Sequence, residues 1–211
     1  MRIVLAGASG AVGSQVLTLL AGRDVVVVGR RALTALPPGA AQLTGEIAEW
    51  PALIAATTAD VAICALGTTM KQAGSKAAFA RVDLDAVLSF AKAAKQAGAQ
   101  HFLMVSSVGA DASSNNFYLA TKGAAESGVR ALGFERVDMF RPGLLRTDRG
   151  GPPRPGERIG IAVSPLTDWL TPRAYDRYRS IAARDVAAAI VRAVDQTVPG
   201  CFIHHNREMW G

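Results

Sequence analysis

Three side chains near the middle of the chain have the types and the spacing of a proton-transfer site. Ser107 follows an apolar run, and about a dozen residues later Tyr118 and Lys122 stand four positions apart in a helical pattern. Residues four apart share one face of a helix, so Lys122 reaches toward the side of Tyr118. A free phenol ionises only near pH ~10, and a neighbouring ammonium stabilises its phenolate form.

This combination predicts general acid–base catalysis. Tyr118 exchanges a proton with the substrate, Lys122 supports the phenolate and a cofactor ribose, and Ser107 orients the substrate oxygen beside the tyrosine hydroxyl. The alternative is that Tyr118 and Lys122 simply begin a solvated helix.

A glycine-rich turn at the start of the chain predicts a phosphate site. The apolar run Arg2–Ala6 stops at a G-x-x-G-x-x-G turn, which a helical pattern follows. A helix that begins in such a turn offers unpaired N–H groups and a partial positive charge to a pyrophosphate. The predicted cofactor contacts of this turn are Gly7, Ala8, Ser9, Gly10, Ala11, Val12 and Gly13. The alternative is a glycine-rich turn that binds no ligand.

A second strand is predicted over Asp24–Gly29, and Arg30 and Arg31 follow it directly. In a dinucleotide-binding fold, an acid at this place accepts the ribose hydroxyls, whereas arginine suits a 2′-phosphate. Two arginines without an acid therefore indicate NADP in preference to NAD. Ordinary surface arginines in a loop are the alternative.

The remaining pattern predicts a doubly wound, mostly parallel α/β sheet with helices on both faces and a single domain over residues 1–211. Further strands are expected at residues 41–44, 60–67, 101–105, 137–140 and 200–204, with helices after Trp50 and at residues 77–97, 118–132 and 184–194. In the helix at residues 77–97, the expected core positions are Phe79, Val82, Leu84, Val87, Leu88 and Phe90. The residues that follow two of these strands, Leu66, Gly67, Thr68, Thr69 and Ser106, are candidate cofactor contacts.

Composition excludes several classes of protein. Half of the residues are hydrophobic and 19% are charged, which is typical of a globular domain. No apolar run reaches the ~18 residues of a membrane span, and the first apolar run lacks the features of a signal peptide, so we expect a cytoplasmic protein without a membrane partner. The net charge is +6, but no basic helix with interleaved aromatics indicates nucleic acid. The charge favours a phosphorylated cofactor first and an anionic substrate second.

The cysteines and histidines give no sign of a disulfide framework or a metal site. Cys64 and Cys201 are far apart and neither belongs to a C-x-x-C pair, and the three histidines lack metal-ligand spacing. Cys64 is expected to be a buried apolar residue. We therefore predict no metal.

An arginine-rich segment at residues 146–180 is predicted to cover the substrate. It carries seven arginines and three aromatic residues, and it follows the strand whose end faces the nicotinamide in this fold. A solvated arginine-rich loop is the alternative.

Taken together, the motifs resemble the atypical short-chain dehydrogenases/reductases, and most of all the small Tat-interacting-protein-like oxidoreductases. The resemblance covers about two thirds of the chain and rests on GASGAVG at residues 7–13, CALGTT at 64–69, ARVDLDAVL at 80–88, HFLMVSSVGAD at 101–111, NNFYLATKGAAE at 115–126 and FRPGLL at 140–145. One departure is that residues 66–69, Leu-Gly-Thr-Thr, replace the Asn-Ala-Gly motif of many members, which puts an asparagine-based fourth catalytic residue in doubt.

This resemblance implies an NADP-binding fold with Ser107, Tyr118 and Lys122 as catalytic residues. It also implies that the stretch containing Pro142, Gly143 and Leu144 lines the nicotinamide end of the site. The expected activity is reduction of a carbonyl or oxidation of an alcohol in a small molecule, by a monomer or homodimer. The alternatives are an NADP(H)-binding redox sensor that acts through a protein partner, and an epimerase or dehydratase that uses the cofactor transiently.

Overall fold

A wholly parallel sheet of seven strands forms the centre of the chain. The computed structural model describes residues 1–146 and 173–210. The strand order is β3-β2-β1-β4-β5-β6-β9, and every neighbouring pair is parallel. The strands are β1 (Arg2–Ala6), β2 (Asp24–Gly29), β3 (Ala40–Thr44), β4 (Val61–Cys64), β5 (His101–Val105), β6 (Arg136–Phe140) and β9 (Gly200–His204).

Helices connect these strands and cover both faces of the sheet. They are α1 (Ala11–Leu19), α2 (Trp50–Ala55), α3 (Met70–Ala73), α4 (Lys76–Ala80), α5 (Val87–Gln96), α6 (Phe117–Arg130), α7 (Ala183–Val194) and α8 (Asn206–Met209). Two 3-10 turns lie at Ile47–Glu49 and Arg173–Tyr178. A π-helical segment, Arg81–Ala86, joins α4 to α5 and is called the π-segment below.

The sheet has a hydrophobic core on each face, as the apolar strands require. Successive residues of a strand point to opposite faces, so Ile3 and Leu5 of β1 pack with α1 and α7, whereas Val4 and Ala6 pack with α2, α5 and α6. Parallel strands that are buried on both faces are continuous apolar runs. The doubly wound α/β fold is thereby confirmed.

Most predicted elements are found, and two differ. The predicted bounds of β1, β2, β5 and β9 are confirmed. The strand predicted at residues 60–67 ends at Cys64, because the chain then leaves the sheet and passes against the Gly7 turn.

The helix predicted at residues 77–97 is found as three consecutive helical elements, α4, the π-segment and α5, which together cover residues 76–96. A π-turn holds more residues than an α-turn and therefore shifts the face that each later residue presents. Phe79, Val87 and Phe90 are buried as expected, whereas Val82, Leu84 and Leu88 are half-buried. Asp83 and Ala86 of the π-segment have no exposed surface.

Two short strands adjoin the segment predicted to cover the substrate. β7 (Leu145–Arg146) pairs in parallel with β8 (Ile181–Ala182). The predicted cover lies mostly outside the described residues, and this includes Arg149, Arg154 and Arg158. Among residues 1–146 and 173–210, no helix combines the length and the apolar composition that crossing a bilayer requires.

Candidate active site

The predicted nucleotide turn lies where the strand order reverses, between β1 and β4. Ligands of open parallel sheets bind in the crevice at such a switch point. Gly7 has φ of 87°, and a Cβ on it would lie 2.4 Å from the carbonyl carbon and oxygen of Ala65. A Cβ on Gly13 would lie 2.1 Å from the Gly7 oxygen. Both positions therefore require glycine, and the turn contacts the loop after β4.

The start of α1 fits a bound pyrophosphate. Gly10 is the N-cap, and no side chain caps the helix, so its first N–H groups remain available to an anion. Ser9 is exposed, and Gly7, Gly10 and Ala11 are half-buried. Ala8, Val12 and Gly13 are buried and offer backbone atoms only.

Arg30 and Arg31 line a surface cavity at the end of β2. Its volume is about 260 Å³, and Glu46 is the third residue that lines it. Glu46 follows β3, which pairs with β2 through Gly29 and Thr44. The sequence did not indicate that Glu46 belongs to this cavity, because Glu46 lies near the arginines only through the pairing of β2 with β3. The cavity is lined by two guanidinium groups that suit a 2′-phosphate and by one carboxylate that repels a phosphate.

The turn after β5 is tied to the loop after β6. The Ser106 N–H donates to the Phe140 carbonyl at 2.7 Å, and the Val108 N–H donates to the Pro142 carbonyl at 3.0 Å. Half-buried Ser107 has its hydroxyl 3.3 Å from the Val108 carbonyl. The Ser106 hydroxyl is buried and has no hydrogen-bond partner among the described residues. An orphaned hydroxyl of this kind fits a site that a cofactor completes.

Helix α6 brings Tyr118 and Lys122 to the same edge of the sheet. Its N-cap, Asn116, accepts hydrogen bonds from the N–H groups of Tyr118 and Leu119 at 3.0 and 3.2 Å. The Tyr118 ring lies 5.4 Å from the Phe79 ring, centroid to centroid. These contacts fix where the helix begins and where its tyrosine lies.

Lys122 is buried and forms an ion pair that the sequence did not reveal. Its Nζ lies 2.7 Å from Oδ1 of Asp83, a residue of the π-segment without exposed surface. The other carboxylate oxygen of Asp83 accepts the Thr68 N–H at 2.9 Å. A Cβ on Gly67 would lie 3.7 Å from Lys122 Nζ. The only sequence signal was an acid at a position flanked by the apolar Val82 and Leu84.

The predicted loop after β4 therefore contacts both the Gly7 turn and the ion pair of Asp83 with Lys122. Leu66 and Thr68 are half-buried, whereas Gly67 and Thr69 are exposed. Thr69 also accepts the Gln72 N–H at 3.1 Å and so caps α3.

Cys64, at the end of β4, is confirmed as a buried residue. Burial raises the pKa of its thiol to about 12, although the Leu66 N–H and the Lys122 charge act in the opposite direction. A thiol of this kind stays protonated and is not a nucleophile at neutral pH. The described residues contain no group of histidine, cysteine and carboxylate side chains suited to a metal ion.

The loop after β6 is fixed from two sides. Arg141 donates from Nε and Nη2 to the two carboxylate oxygens of Glu126 on α6, at 2.9 and 2.5 Å. Buried Asn206 accepts the Gly143 N–H at 3.0 Å. Pro142 is buried, Gly143 is half-buried and Leu144 is 58% exposed. This loop is therefore rigid at its start and presents an apolar side chain at its end.

Comparisons with known proteins agree with a nucleotide-binding fold. A family model described as NAD(P)H-binding matches residues 7–197. The chain is similar to Protein HTATIP2 of Rattus norvegicus, with 40% identity over 74% of this chain and 66% of the relative. It is also similar to "Protein fmp52, mitochondrial" of Aspergillus niger, with 30% identity over 94% of this chain and 90% of the relative.

Solved structures share the fold at low sequence identity. MoeE5 in complex with UDP-glucose and NAD superposes with a TM-score of 0.69 at 19% identity, and covers 96% of this chain and 75% of its own. A UDP-glucose 4-epimerase gives a TM-score of 0.72 at 16% identity, and covers 99% of this chain and 80% of its own.

Proposed function

Because the chain belongs to the NAD(P)H-binding family of Rossmann-fold proteins, we propose that it is an NADP-dependent oxidoreductase that interconverts a carbonyl and an alcohol. Ser107, Tyr118 and Lys122 are its proposed catalytic residues. The residues that would hold the cofactor are the Gly7–Gly13 turn, the loop after β4 and the arginines after β2.

One observation carries this proposal. Lys122 Nζ lies beside Gly67, in the loop whose first residue, Ala65, contacts the Gly7 turn. The helix predicted to transfer protons and the turn predicted to bind phosphates thus meet through a single loop. A bare nucleotide site has no need of a buried lysine next to a tyrosine.

The proposed chemistry divides the work among three side chains. In the reductive direction, a bound nicotinamide supplies a hydride to the carbonyl carbon. Tyr118 donates its hydroxyl proton to the carbonyl oxygen, and it takes a proton back when an alcohol is oxidised. Ser107 hydrogen-bonds that oxygen and orients it. Lys122 binds the ribose hydroxyls, and its positive charge stabilises the phenolate.

The preference for NADP is supported by the charge of the cavity at the end of β2. Two guanidinium groups outweigh the one carboxylate of Glu46, and arginine matches the geometry of a phosphate. The proposed substrate is a small carbonyl or alcohol, with an anionic group favoured by the net charge of +6. The solved structure of MoeE5 is a complex with UDP-glucose and NAD, so sugar nucleotides belong in the substrate panel.

A panel of carbonyl compounds, assayed by the loss of NADPH absorbance, tests the proposed function. We expect turnover of at least one compound, and a fall in kcat of about 10²-fold or more in Tyr118→Phe, because the proton donor is removed. Affinity for NADPH, measured by titration of the same variant, should stay within about twofold, which controls for folding. Turnover that survives the substitution contradicts the mechanism.

A further inference from the structure

The loop that follows β2 is held to the sheet by the side chain of Gln42, a residue of β3. The Nε2 group of Gln42 donates to the Arg31 carbonyl at 2.8 Å, and its Oε1 accepts the Leu33 N–H at 2.9 Å. One side-chain amide thus bonds to the carbonyl of one loop residue and to the N–H of the next but one, as a residue of a parallel strand does. The Gln42 side chain therefore continues the sheet past the end of β2.

The register of the sheet brings Gln42 to this place. Gln42 lies opposite Val27 of β2, whose side chain belongs to the hydrophobic core on the α1 face, and residues opposite one another on paired strands share a face. Half-buried Leu33 packs against the same core. The loop after β2 is thus fixed at Leu33 by apolar packing and around Arg31 by the Gln42 amide.

The two arginines of this loop depend on its backbone for their position. Arg30 and Arg31 are exposed and line the cavity of about 260 Å³ together with Glu46. Neither forms an ion pair with a carboxylate in the described part of the chain. A long side chain that becomes ordered when a ligand binds loses rotamer freedom, so a fixed backbone reduces what remains to be ordered.

We propose that Gln42 is a positioning residue that determines the preference for NADP, because it fixes the Arg31 backbone at the cavity where the 2′-phosphate binds. This inference rests on the proposed preference for NADP. Two consequences follow from it. Loss of the Gln42 hydrogen bonds weakens NADPH binding and spares NADH, which has no phosphate to meet the arginines. By linkage, bound NADPH stabilises the contacts of Gln42 by the same factor.

Gln42→Met tests the first consequence, since methionine keeps the length of the side chain and removes both hydrogen bonds. The Kd of NADPH should rise about fivefold, which is the size of one net hydrogen bond, and the Kd of NADH should stay within about twofold. Gln100→Met is the matched control, because exposed Gln100 accepts a hydrogen bond from Lys95 at the amino edge of the sheet. It should change neither Kd. Calorimetric titration with each cofactor measures both values.

A double-variant cycle separates this role from a purely structural one. In a protein with serine in place of both Arg30 and Arg31, Gln42→Met should change the Kd of NADPH by less than about twofold, because no arginine remains to be positioned. Equal weakening of NADPH and NADH overturns the proposal. A full fivefold loss in the protein without these arginines does so as well.

Hydrogen exchange at the Leu33 amide tests the second consequence in the unchanged protein, so the test holds even where Gln42→Met fails to fold. Saturating NADPH should slow this exchange about fivefold more than saturating NADH does, because Gln42 accepts this N–H. Equal protection by the two cofactors overturns the role of Gln42. An unchanged protein that binds NADPH no more tightly than NADH refutes the proposed preference for NADP itself, which is a different result.

Discussion

In the proposed function, the three charged side chains that line the cavity at the end of β2 set the choice between NADP and NAD. Arg30 and Arg31 offer charge and planar donors to a 2′-phosphate, and Glu46 opposes it. All three side chains are exposed, so solvent screens their interactions and each contributes modestly. The proposed preference for NADP is therefore a difference between opposing contributions, and single substitutions should shift it in either direction.

Replacing both Arg30 and Arg31 by serine should weaken NADPH binding about tenfold and leave NADH binding within about twofold. The reason is that only NADPH carries the phosphate that these side chains meet. Glu46→Gln should have the opposite effect and strengthen NADPH binding by a few-fold. Titration of both cofactors against each variant measures this preference.

Arg2→Ser is the matched control for this pair, because Arg2 is a partly exposed arginine at the opposite end of the strands, where it pairs with Asp24. It should change neither affinity. Unchanged NADPH affinity in the variant with serine at both Arg30 and Arg31 would contradict the proposed preference for NADP.

Residue spacing predicts that Tyr118 and Lys122 share a helix, which is confirmed, but it does not reveal the counter-ion of Lys122. The strand end before Ser107 and the i, i+4 pair are local features that the sequence displays, whereas the catalytic roles of these residues stay predictions. Asp83 and Glu46 belong to the site through packing of distant elements. A regular α-helical pattern does not place Asp83 on the buried face of the helix, because apolar periodicity gives no signal for a π-turn.

At the scale of elements, helix α6 controls how closely Tyr118 and Lys122 approach the turn after β5. Its residue Gly123 packs directly on the backbone of that turn, where an added Cβ would lie 2.1 Å from the Ala112 nitrogen. Gly128, on the same helix, faces only the end of the flexible Leu88 side chain, at 2.6 Å. Comparing alanine substitutions at the two glycines therefore distinguishes the effect of packing on rigid backbone from the effect of helix propensity.

Gly123→Ala should lower the free energy of unfolding by about 2 kcal/mol, because the backbone around Ala112 must move. The same movement displaces α6 from Ser107, so kcat should fall as well. Gly128→Ala should remain within about 1 kcal/mol of the unchanged protein, since the gain in helix propensity compensates for a shift of Leu88. Urea unfolding and the turnover assay measure both effects, and equal behaviour of the two variants contradicts this account of α6.

At the scale of the whole molecule, a buried ionic cluster ties three strands of the sheet together. Asp138 of β6 has no exposed surface and accepts hydrogen bonds from His101 of β5 and His204 of β9, both at 2.6 Å, and from Arg136 at 2.6 and 2.9 Å. Burial alone would raise the pKa of Asp138, but these hydrogen bonds outweigh it and hold the pKa well below its ordinary value. The carboxylate therefore stays charged in the folded protein.

Asp138→Asn should lower the free energy of unfolding by about 3 kcal/mol, because it leaves the buried Arg136 guanidinium without its counter-charge. For a chain of this size, that corresponds to a fall in Tm of roughly 8 °C. Asp24→Asn is the control, because it removes one exposed carboxylate paired with Arg2 and should cost less than about 1 kcal/mol. Similar losses of unfolding free energy in the two variants would show that the buried cluster stabilises the fold no more than an exposed ion pair does.

The same carboxylate gives stability a defined dependence on pH. Its folded pKa lies below the unfolded value of about 3.9, so its contribution is complete above that pH and is lost as the pH falls through the folded pKa. In Asp138→Asn this acid-labile part should be absent from unfolding curves recorded below about pH 4. An unchanged dependence on pH in the variant would assign acid unfolding to other groups.

The seven strands and their parallel arrangement follow from apolar runs, glycine turns and helical patterns, all of which the sequence displays. The cluster around Asp138 does not, because its members reach one another across three strands, and only the pairing of those strands places them together. A cytoplasmic location and a monomeric or dimeric state stay predictions.

The central proposal is that the protein transfers a hydride from NADPH to a carbonyl compound while Tyr118 donates the proton. Single turnover with NADPH that carries deuterium at the transferring position, followed by mass spectrometry of the product, tests it most directly. We predict one deuterium in each molecule of alcohol product from the unchanged protein, and about 10²-fold less labelled product from Tyr118→Phe in the same reaction time, although the variant still binds the cofactor. Deuterium that remains on the cofactor while the substrate is converted would contradict the claim and identify an epimerase or dehydratase.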